Sequence, residues 1–376
     1  MPKLYFFYNK IFKFVIHKRK MIKIEAIKDI KEIDKELERL IEERRPKIKI
    51  VGVGGAGNNT IDRMYEVGIK GAELIAVNTD AQDLLYTKAD YKVLIGRELT
   101  KGLGAGGNPL IGEEAVKEAE AEIRKSLEGA SVVFITCGLG GGTGTGASPK
   151  IVQIARSLGA LTVAVVTLPF TIEGPRRFEN AINGLEKLEE VVNTIIIIPN
   201  DKLLEIVPDL PIQTAFKIAD EVLINSIKGI TELITTPGLV NLDFADVKAI
   251  LENGGISLIG LGESDTQNRA IEAVEKAINN PLLDVEVKNI KGALINIVGG
   301  NDLKLDEARK IVEAISLRLD EKANLIWGAQ IREDMKGFIR VLLIANGVKG
   351  YLRIKNKIME KKEKEILEEI GIKFIK

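Results

Sequence analysis

Three apolar runs in the first half of this chain end abruptly in glycine-rich turns, and charged stretches of helical spacing separate them. The first run, Ile48-Lys49-Ile50-Val51-Gly52-Val53, leads into Gly54-Gly55-Ala56-Gly57-Asn58-Asn59, after which a helix is expected over 60–67. A second strand, 73–77, ends at Asn78-Thr79-Asp80. A short strand over 92–95 precedes the loop Lys101-Gly102-Leu103-Gly104-Ala105-Gly106-Gly107-Asn108-Pro109. The most apolar run, 131–137, feeds Gly138-Leu139-Gly140-Gly141-Gly142-Thr143-Gly144-Thr145-Gly146. A helix is then expected over 147–157, with Pro149 in its first turn, where proline is tolerated. Two further apolar strands fall at 161–168 and 194–198. Strands alternating with helices in this way indicate an α/β fold with a doubly wound, Rossmann-like parallel sheet.

The second half reads differently. From 211 to 234, Ile212, Phe216, Ala219, Leu223, Ile227, Ile230 and Ile234 recur at helical spacing. At 1.5 Å per residue this helix is about 36 Å long, enough to cross a domain. Thr235-Thr236-Pro237-Gly238 is its stop signal. Beyond it, strands are expected at 256–260, 293–298, 324–330 and 338–345, with helices at 266–279 and 305–319. That order describes a smaller α+β domain. The expected division is an N-terminal extension over 1–46, a nucleotide-type domain over 47–240 that includes the central helix, an α+β domain over 241–354, and a charged tail over 355–376. Within the extension, 22–45 has the apolar spacing of one amphipathic helix ended by Pro46.

Composition narrows the chemistry. Apolar residues make up 45% of the chain, so it can build a sizeable core. Lys plus Arg and Asp plus Glu number 54 each, which argues against a general affinity for nucleic acid or membrane. The single cysteine, Cys137, excludes an internal disulfide and suits a reducing cytoplasm. The single histidine, His17, makes a histidine triad or a His-rich metal site a poor expectation. Nothing approaches 18 uninterrupted apolar residues, so no membrane span is expected. Residues 1–20 mix Tyr and Phe with Lys and Arg and contain no acid. They fit an anionic membrane surface, a frayed tail, or a stretch preceding a true start at Met21.

Gly52, Gly54 and Gly57 satisfy G-x-G-x-x-G, and Asp80 follows at roughly the distance expected of a ribose-binding acid. Alone, these would suggest an NAD-dependent enzyme. The other two loops fit that poorly. In Gly140–Gly146, five of seven residues are glycine, which clears Cβ atoms where backbone must approach phosphate. Thr143 and Thr145 add hydroxyls, and the following helix adds its positive end. The loop is not a Walker P-loop, because no lysine follows it. Three such loops surround a triphosphate better than a pyrophosphate.

The run GGGTGTG over 140–146 resembles the signature loop of the tubulin/FtsZ GTPase superfamily. VGVGGAGNN, VNTDAQ, GLGAGGNP and AVVTLPF, in that order, resemble the FtsZ family of prokaryotic cell-division GTPases, archaeal members in particular. The similarity runs from about 47 to about 348. It implies that Gly55, Ala56, Gly57, Asn58 and Asn59 line the α- and β-phosphates. Asn78, Thr79, Asp80 and Ala81, with Ala105, Gly106 and Gly107, are implied near the γ-phosphate, and Gly142, Thr143 and Gly144 opposite them. Glu173 and Arg177 match an E-G-x-x-R pair at the ribose, although Pro175 departs from the usual pattern. Asn200 and Asp220 are implied at the guanine edge, with Phe216 stacking on the base. A carboxylate facing the N1 and N2 donors of guanine would exclude adenine, which lacks that donor pair.

The matching loops supply glycines, threonines and amides, which bind phosphate but do not readily activate water. Asn241-Leu242-Asp243-Phe244-Ala245-Asp246 matches the family's synergy loop and lies beyond the far end of the long helix. The resemblance therefore implies that Asp243 and Asp246 polarise water at the γ-phosphate of the next subunit, with Mg²⁺ neutralising developing charge. It further implies head-to-tail filaments at the mid-cell division site, reversible GTP and GDP binding, and membrane-tethering division proteins as partners. An NAD enzyme and a GTP-binding relative without turnover are the competing expectations. No metal ligands are assigned.

Overall fold

The computed structural model describes residues 33–36, 39, 45–202, 212–236, 238–240, 243–280 and 290–347; the side chains at 212, 213, 215, 216 and 219 fall outside that description. Most of the expected helix over 22–45, and the segments 1–20 and 355–376, also lie outside the described residues. The chain divides into two compact units, Met1–Arg45 and Pro46–Lys376. In the first, residues 33–36 and 39 are helical.

The second unit is built on one ten-stranded sheet. In chain order its first elements are β1 (Ile48–Val53), α1 (Gly54–Val67), β2 (Ala72–Asn78), α2 (Ala81–Tyr86), β3 (Tyr91–Leu94) and α3 (Arg97–Thr100). Then come α4 (Pro109–Glu118), α5 (Glu120–Leu127), β4 (Val132–Gly138), α6 (Thr143–Ser157), β5 (Leu161–Leu168), α7 (Pro175–Val191) and β6 (Thr194–Pro199). The central helix α8 (Ile212–Thr235) and α9 (Phe244–Leu251) lead into β7 (Gly255–Ser264) and α10 (Arg269–Ile278). The described chain ends with β8 (Ile290–Gly299), α11 (Leu305–Ser316), β9 (Leu319–Ile331) and β10 (Ile339–Asn346).

Strand order is β3-β2-β1-β4-β5-β6-β7-β10-β8-β9. The first six strands are parallel, with β1 between β2 and β4. Their order reverses at β1, and ligands of such sheets bind outside the carboxyl ends of the strands at that switch point. β7 joins β6 in parallel through only Thr194–Gly255, Ile195–Ile256 and Ile196–Ser257. β10 runs antiparallel to both β7 and β8, and β9 runs parallel to β8. A parallel half and a mixed half thus share one sheet across a narrow join.

Helix α8 covers that join. Leu223, Ile224, Ile227, Ile230 and Leu233 are buried in one cluster with Ile50, Phe134 and Ile196 of the parallel half and Leu294 and Leu342 of the mixed half. Burying each of these Leu and Ile side chains contributes on the order of 1.5–3 kcal/mol. Gly229 permits the close approach, since a Cβ there would stand 2.5 Å from Leu342 Cδ2. The opposite face of the parallel half forms a second cluster through α4, α6 and α7, and α10 and α11 cover the mixed half.

Two helices begin earlier than expected. α1 starts at Gly54 and α6 at Thr143, so each glycine turn is itself the first turn of a helix. Pro149 consequently lies in the second turn of α6 and not in the first, where its missing N–H leaves one helical hydrogen bond unmade.

Candidate functional site

The loops after β1 and β4 meet at the topological switch point, and their glycines are what allows it. A Cβ on Gly54 would stand 2.9 Å from the amide nitrogen of Gly144, and one on Gly138 would stand 2.8 Å from Ala56 Cβ. Gly142 meets the Lys101–Pro109 loop as closely, 2.8 Å from both Ala105 Cβ and the nitrogen of Asn108. Gly54, Gly106 and Gly107 hold positive φ angles of 73°, 57° and 72°, which glycine adopts without steric cost. Around this tight junction Gly55, Ala56, Asn59, Gly106 and Gly107 remain exposed, and nothing lies within 4 Å of a Cβ built on Gly106, Gly107 or Gly141. The loops therefore have a packed side facing each other and an open side lined by backbone. The N-terminus of α1 opens onto that side, an arrangement that favours anions.

Hydrogen bonds tie the β2–α2 turn into the same junction. Thr79 Oγ1 and Thr143 Oγ1 lie 2.6 Å apart and buried. Gly104 N–H donates to the Thr79 carbonyl at 3.2 Å, and Ala81 N–H to the Gly102 carbonyl at 3.0 Å. Asp80 caps α2 by accepting from the backbone of Gln82 and Asp83. Asp83 Oδ2 accepts from the side-chain amides of Asn58 and Asn78. Asn180, on α7, donates to the carbonyls of Gly107 and Gly140 and so fixes the second loop against the third. Neither Asp83 nor Asn180 carries a sequence signal, because Asn180 acts on partners remote in the chain and Asp83 joins nearby Asn78 to remote Asn58.

Beside the loops, Glu173 and Arg177 form an ion pair, and Glu173 also accepts from the Phe170 N–H at 2.8 Å. The Arg177 carbonyl faces Gly140, so this pair stands at the rim of the third loop. Asn200 is buried, and its Oδ1 has no partner among the described residues. Its neighbour Asp201 accepts from the N–H and hydroxyl of Thr171. Asp220 on α8 lies against α1, accepting from Thr60 Oγ1 at 3.4 Å and paired with Arg63 at 3.2 Å. Burial pushes its carboxyl up to about 6, against the Arg63 charge and the Thr60 hydrogen bond. The Phe216 side chain lies outside the described residues.

Asp243 and Asp246 are not part of this cluster. The first half of α8 lies against α1, with Asp220 beside Thr60 midway along that helix. α8 ends at Thr235, whose side chain packs on Gly71 at the opposite end of β2. Past that end, Leu239 donates to the carbonyl of Ala329 in β9, and Asp243 then caps α9. Asp243 Oδ1 accepts from the Asp246 N–H at 2.7 Å, and Asp246 Oδ2 from the Asp243 N–H at 3.3 Å. The helix they start closes on the N-terminal end of β6, where Thr194 Oγ1 donates to the Leu251 carbonyl. The two carboxylates are thus at the opposite end of the sheet from the loops. Among the described residues, no three His, Cys, Asp or Glu side chains converge as a metal cage.

Residues 47–208 match the Tubulin/FtsZ family, GTPase domain, and residues 255–349 the FtsZ family, C-terminal domain. Cell division protein FtsZ 1 of Thermococcus kodakarensis is 60% identical over 317 residues, 84% of this chain and 85% of that protein. The chain belongs to the FtsZ family of tubulin-like GTPases. A similar match, 57% over 335 residues, covers 89% of this chain and 90% of cell division protein FtsZ 1 of Pyrococcus abyssi. A solved FtsZ dimer from Methanocaldococcus jannaschii superposes with a TM-score of 0.80 at 56% identity, over 84% of this chain and 92% of that one. As an FtsZ-family GTPase the chain takes GTP and GDP. The NAD expectation, which rested on one glycine motif and Asp80, is set aside by this membership.

Proposed function

We propose that this chain is a division-site filament subunit in which GTP bound by one copy is hydrolysed with carboxylates from the next. The observation that carries the proposal is the separation of the chemistry along α8, with phosphate loops at one end and Asp243 and Asp246 beyond the other. A site divided in this way works only when the tail of one subunit meets the head of another. Such a contact is heterologous and open, so it propagates as a filament. The solved dimer of the M. jannaschii relative supports self-association.

In this account Gly55, Ala56, Gly57, Asn58 and Asn59 hold the α- and β-phosphates through the head of α1. Asn78, Thr79, Asp80 and Ala81 face the γ-phosphate with Ala105, Gly106 and Gly107, and Gly142, Thr143 and Gly144 close the opposite side. Glu173 and Arg177 meet the ribose. Asn200, with its unpaired buried oxygen, and Asp220 read the guanine edge, and Phe216 stacks on the base. Asp243 and Asp246 of the neighbouring copy orient the attacking water and accept its proton. Each already spends one oxygen on the start of α9, so their positions are fixed before a neighbour arrives.

The donor set suits Mg²⁺ carried on the nucleotide, because such an ion usually takes one or two carboxylates and keeps its waters. Asp80, whose Oδ1 caps α2, is the carboxylate that would meet it. When bound, Mg²⁺ neutralises charge developing on the phosphate oxygens. In the cell we place this activity in the cytoplasm at mid-cell, joined to the membrane by tethering division proteins. Among the described residues no helix is long and apolar enough to cross a membrane.

Asp246→Ala tests the divided site. It should bind GTP within about twofold of wild type, because Asp246 stands at the start of α9, away from the loops of its own subunit. Turnover should fall by roughly 10²-fold or more, the scale of lost general-base catalysis. Mixed into wild-type chain, it should depress total activity by more than dilution does. Equal turnover in the two proteins would remove Asp246 from the chemistry.

A further inference from the structure

One carboxylate links two of the loops. Asp83 Oδ2 accepts from Asn58 Nδ2 at 2.9 Å and from Asn78 Nδ2 at 2.6 Å. It stands 4.0 Å from where a Cβ on Gly55 would be, directly behind the first glycine turn. Asn58 belongs to α1, which that turn begins; Asn78 ends β2 and starts the next turn. Asp83 is itself held in place. Its N–H donates to Asp80 Oδ1 at 3.1 Å, and its carbonyl accepts from Thr87 N–H at 3.2 Å and Thr87 Oγ1 at 2.9 Å.

An ionised carboxylate only accepts, so it dictates which way both amides face. With its nitrogen turned to Asp83, Asn78 presents Oδ1 to the N–H groups of Thr79 at 2.8 Å and Asp80 at 3.3 Å. That shapes the turn ahead of α2. Asn58 is fully buried, and its Oδ1 has no partner among the described residues. Reversing that amide would set oxygen against the carboxylate. A fixed negative charge beside a phosphate site is repulsive in itself. What Asp83 contributes favourably is therefore geometric.

We propose that Asp83 is a positioning residue that locks the β2–α2 turn to the first glycine loop and so favours GTP over GDP. The inference rests on the nucleotide site proposed above, in which the first loop meets the α- and β-phosphates and the β2–α2 turn meets the γ-phosphate. A link between those two elements matters most when both are occupied. GDP engages only one of them.

Isothermal titration of the full chain with GDP and with a non-hydrolysable GTP analogue, for wild type, Asp83→Ala and Asp83→Asn, tests this. Asp83→Ala should bind the GTP analogue roughly tenfold more weakly and GDP no more than about threefold more weakly. Asp83→Asn retains an acceptor oxygen for the two amides and should stay within about threefold of wild type for both nucleotides. Equal losses for the two nucleotides in Asp83→Ala, no loss at all, or an Asp83→Asn defect as large as that of alanine would overturn the proposal. Should Asp83→Ala not fold, Asp83→Ser, too short to reach both amides, removes the same link and carries the same expectations. A wild-type chain that bound neither nucleotide would instead overturn the site itself.

Discussion

Asp220, proposed above to read the guanine edge, is held at a cost in stability. Its pKa of about 6, against an ordinary 3.8, is caused first by burial, which the Arg63 charge and the Thr60 hydroxyl only partly offset. A carboxyl whose folded pKa is raised holds its proton longer in the native state. Stability therefore falls as pH rises from about 4 to about 6 and carries a constant penalty above that. The donor pair of guanine would relieve that penalty, but only towards the ionised form. Preference for GTP over ATP in competition binding should accordingly fall as pH is lowered from 7 to 5, and Asp220→Asn should lose it at both values while gaining thermal stability without nucleotide. A pH-independent preference, equal in the mutant, would take Asp220 out of base recognition. Residues of this kind were only partly legible in the sequence. Asp220 came from its place in a matching motif, whereas Arg63 and Asn180 act across long chain separations and Asp83 joins nearby Asn78 to remote Asn58, links that no local pattern marks.

At the scale of elements, the same glycines serve two different ends. A Cβ on Gly146 would stand 1.8 Å from the Pro109 carbonyl oxygen, and one on Gly112 would stand 2.5 Å from that of Gly142, so α4 and α6 cross backbone to backbone. Gly141 faces open space. Gly146→Ala should lower the urea midpoint of the nucleotide-free chain, by about 1–3 kcal/mol of stability for a strained insertion. Gly141→Ala should leave the midpoint unchanged and weaken GTP binding. Equal midpoints for the two variants would mean that α4 gives way without cost. Strands such as β4 and β5 were legible to within a residue, because buried runs such as Val132–Gly138 and Leu161–Leu168 have sharp ends. The helices α4, α5 and α7 were not expected. α4 and α7 bury narrow stripes at helical spacing, Gly112, Ala115 and Val116 in one and Ala181, Gly184, Leu185 and Leu188 in the other, but each stripe includes glycine, a poor helix former. The starts of α1 and α6 were hidden for a related reason, since glycine in sequence reads as a turn.

The second unit is built on one sheet, and the proposed chemistry lies at its two ends. β6 and β7 join through three residue pairs, and α8 spans the join with a continuous apolar stripe. That helix fixes the distance between the phosphate loops and the carboxylates at the start of α9. On the proposed reading, with Asp243 and Asp246 beyond the end of α8 that lies away from the loops, hydrolysis is a property of the assembled chain, whereas each subunit binds nucleotide by itself. The most direct test is the GTPase rate per subunit, measured across a protein titration with sedimentation in parallel. The rate should stay near zero below a threshold concentration and rise together with the pelleted fraction above it. A constant rate per subunit at every concentration, with nothing sedimenting, would contradict the divided site.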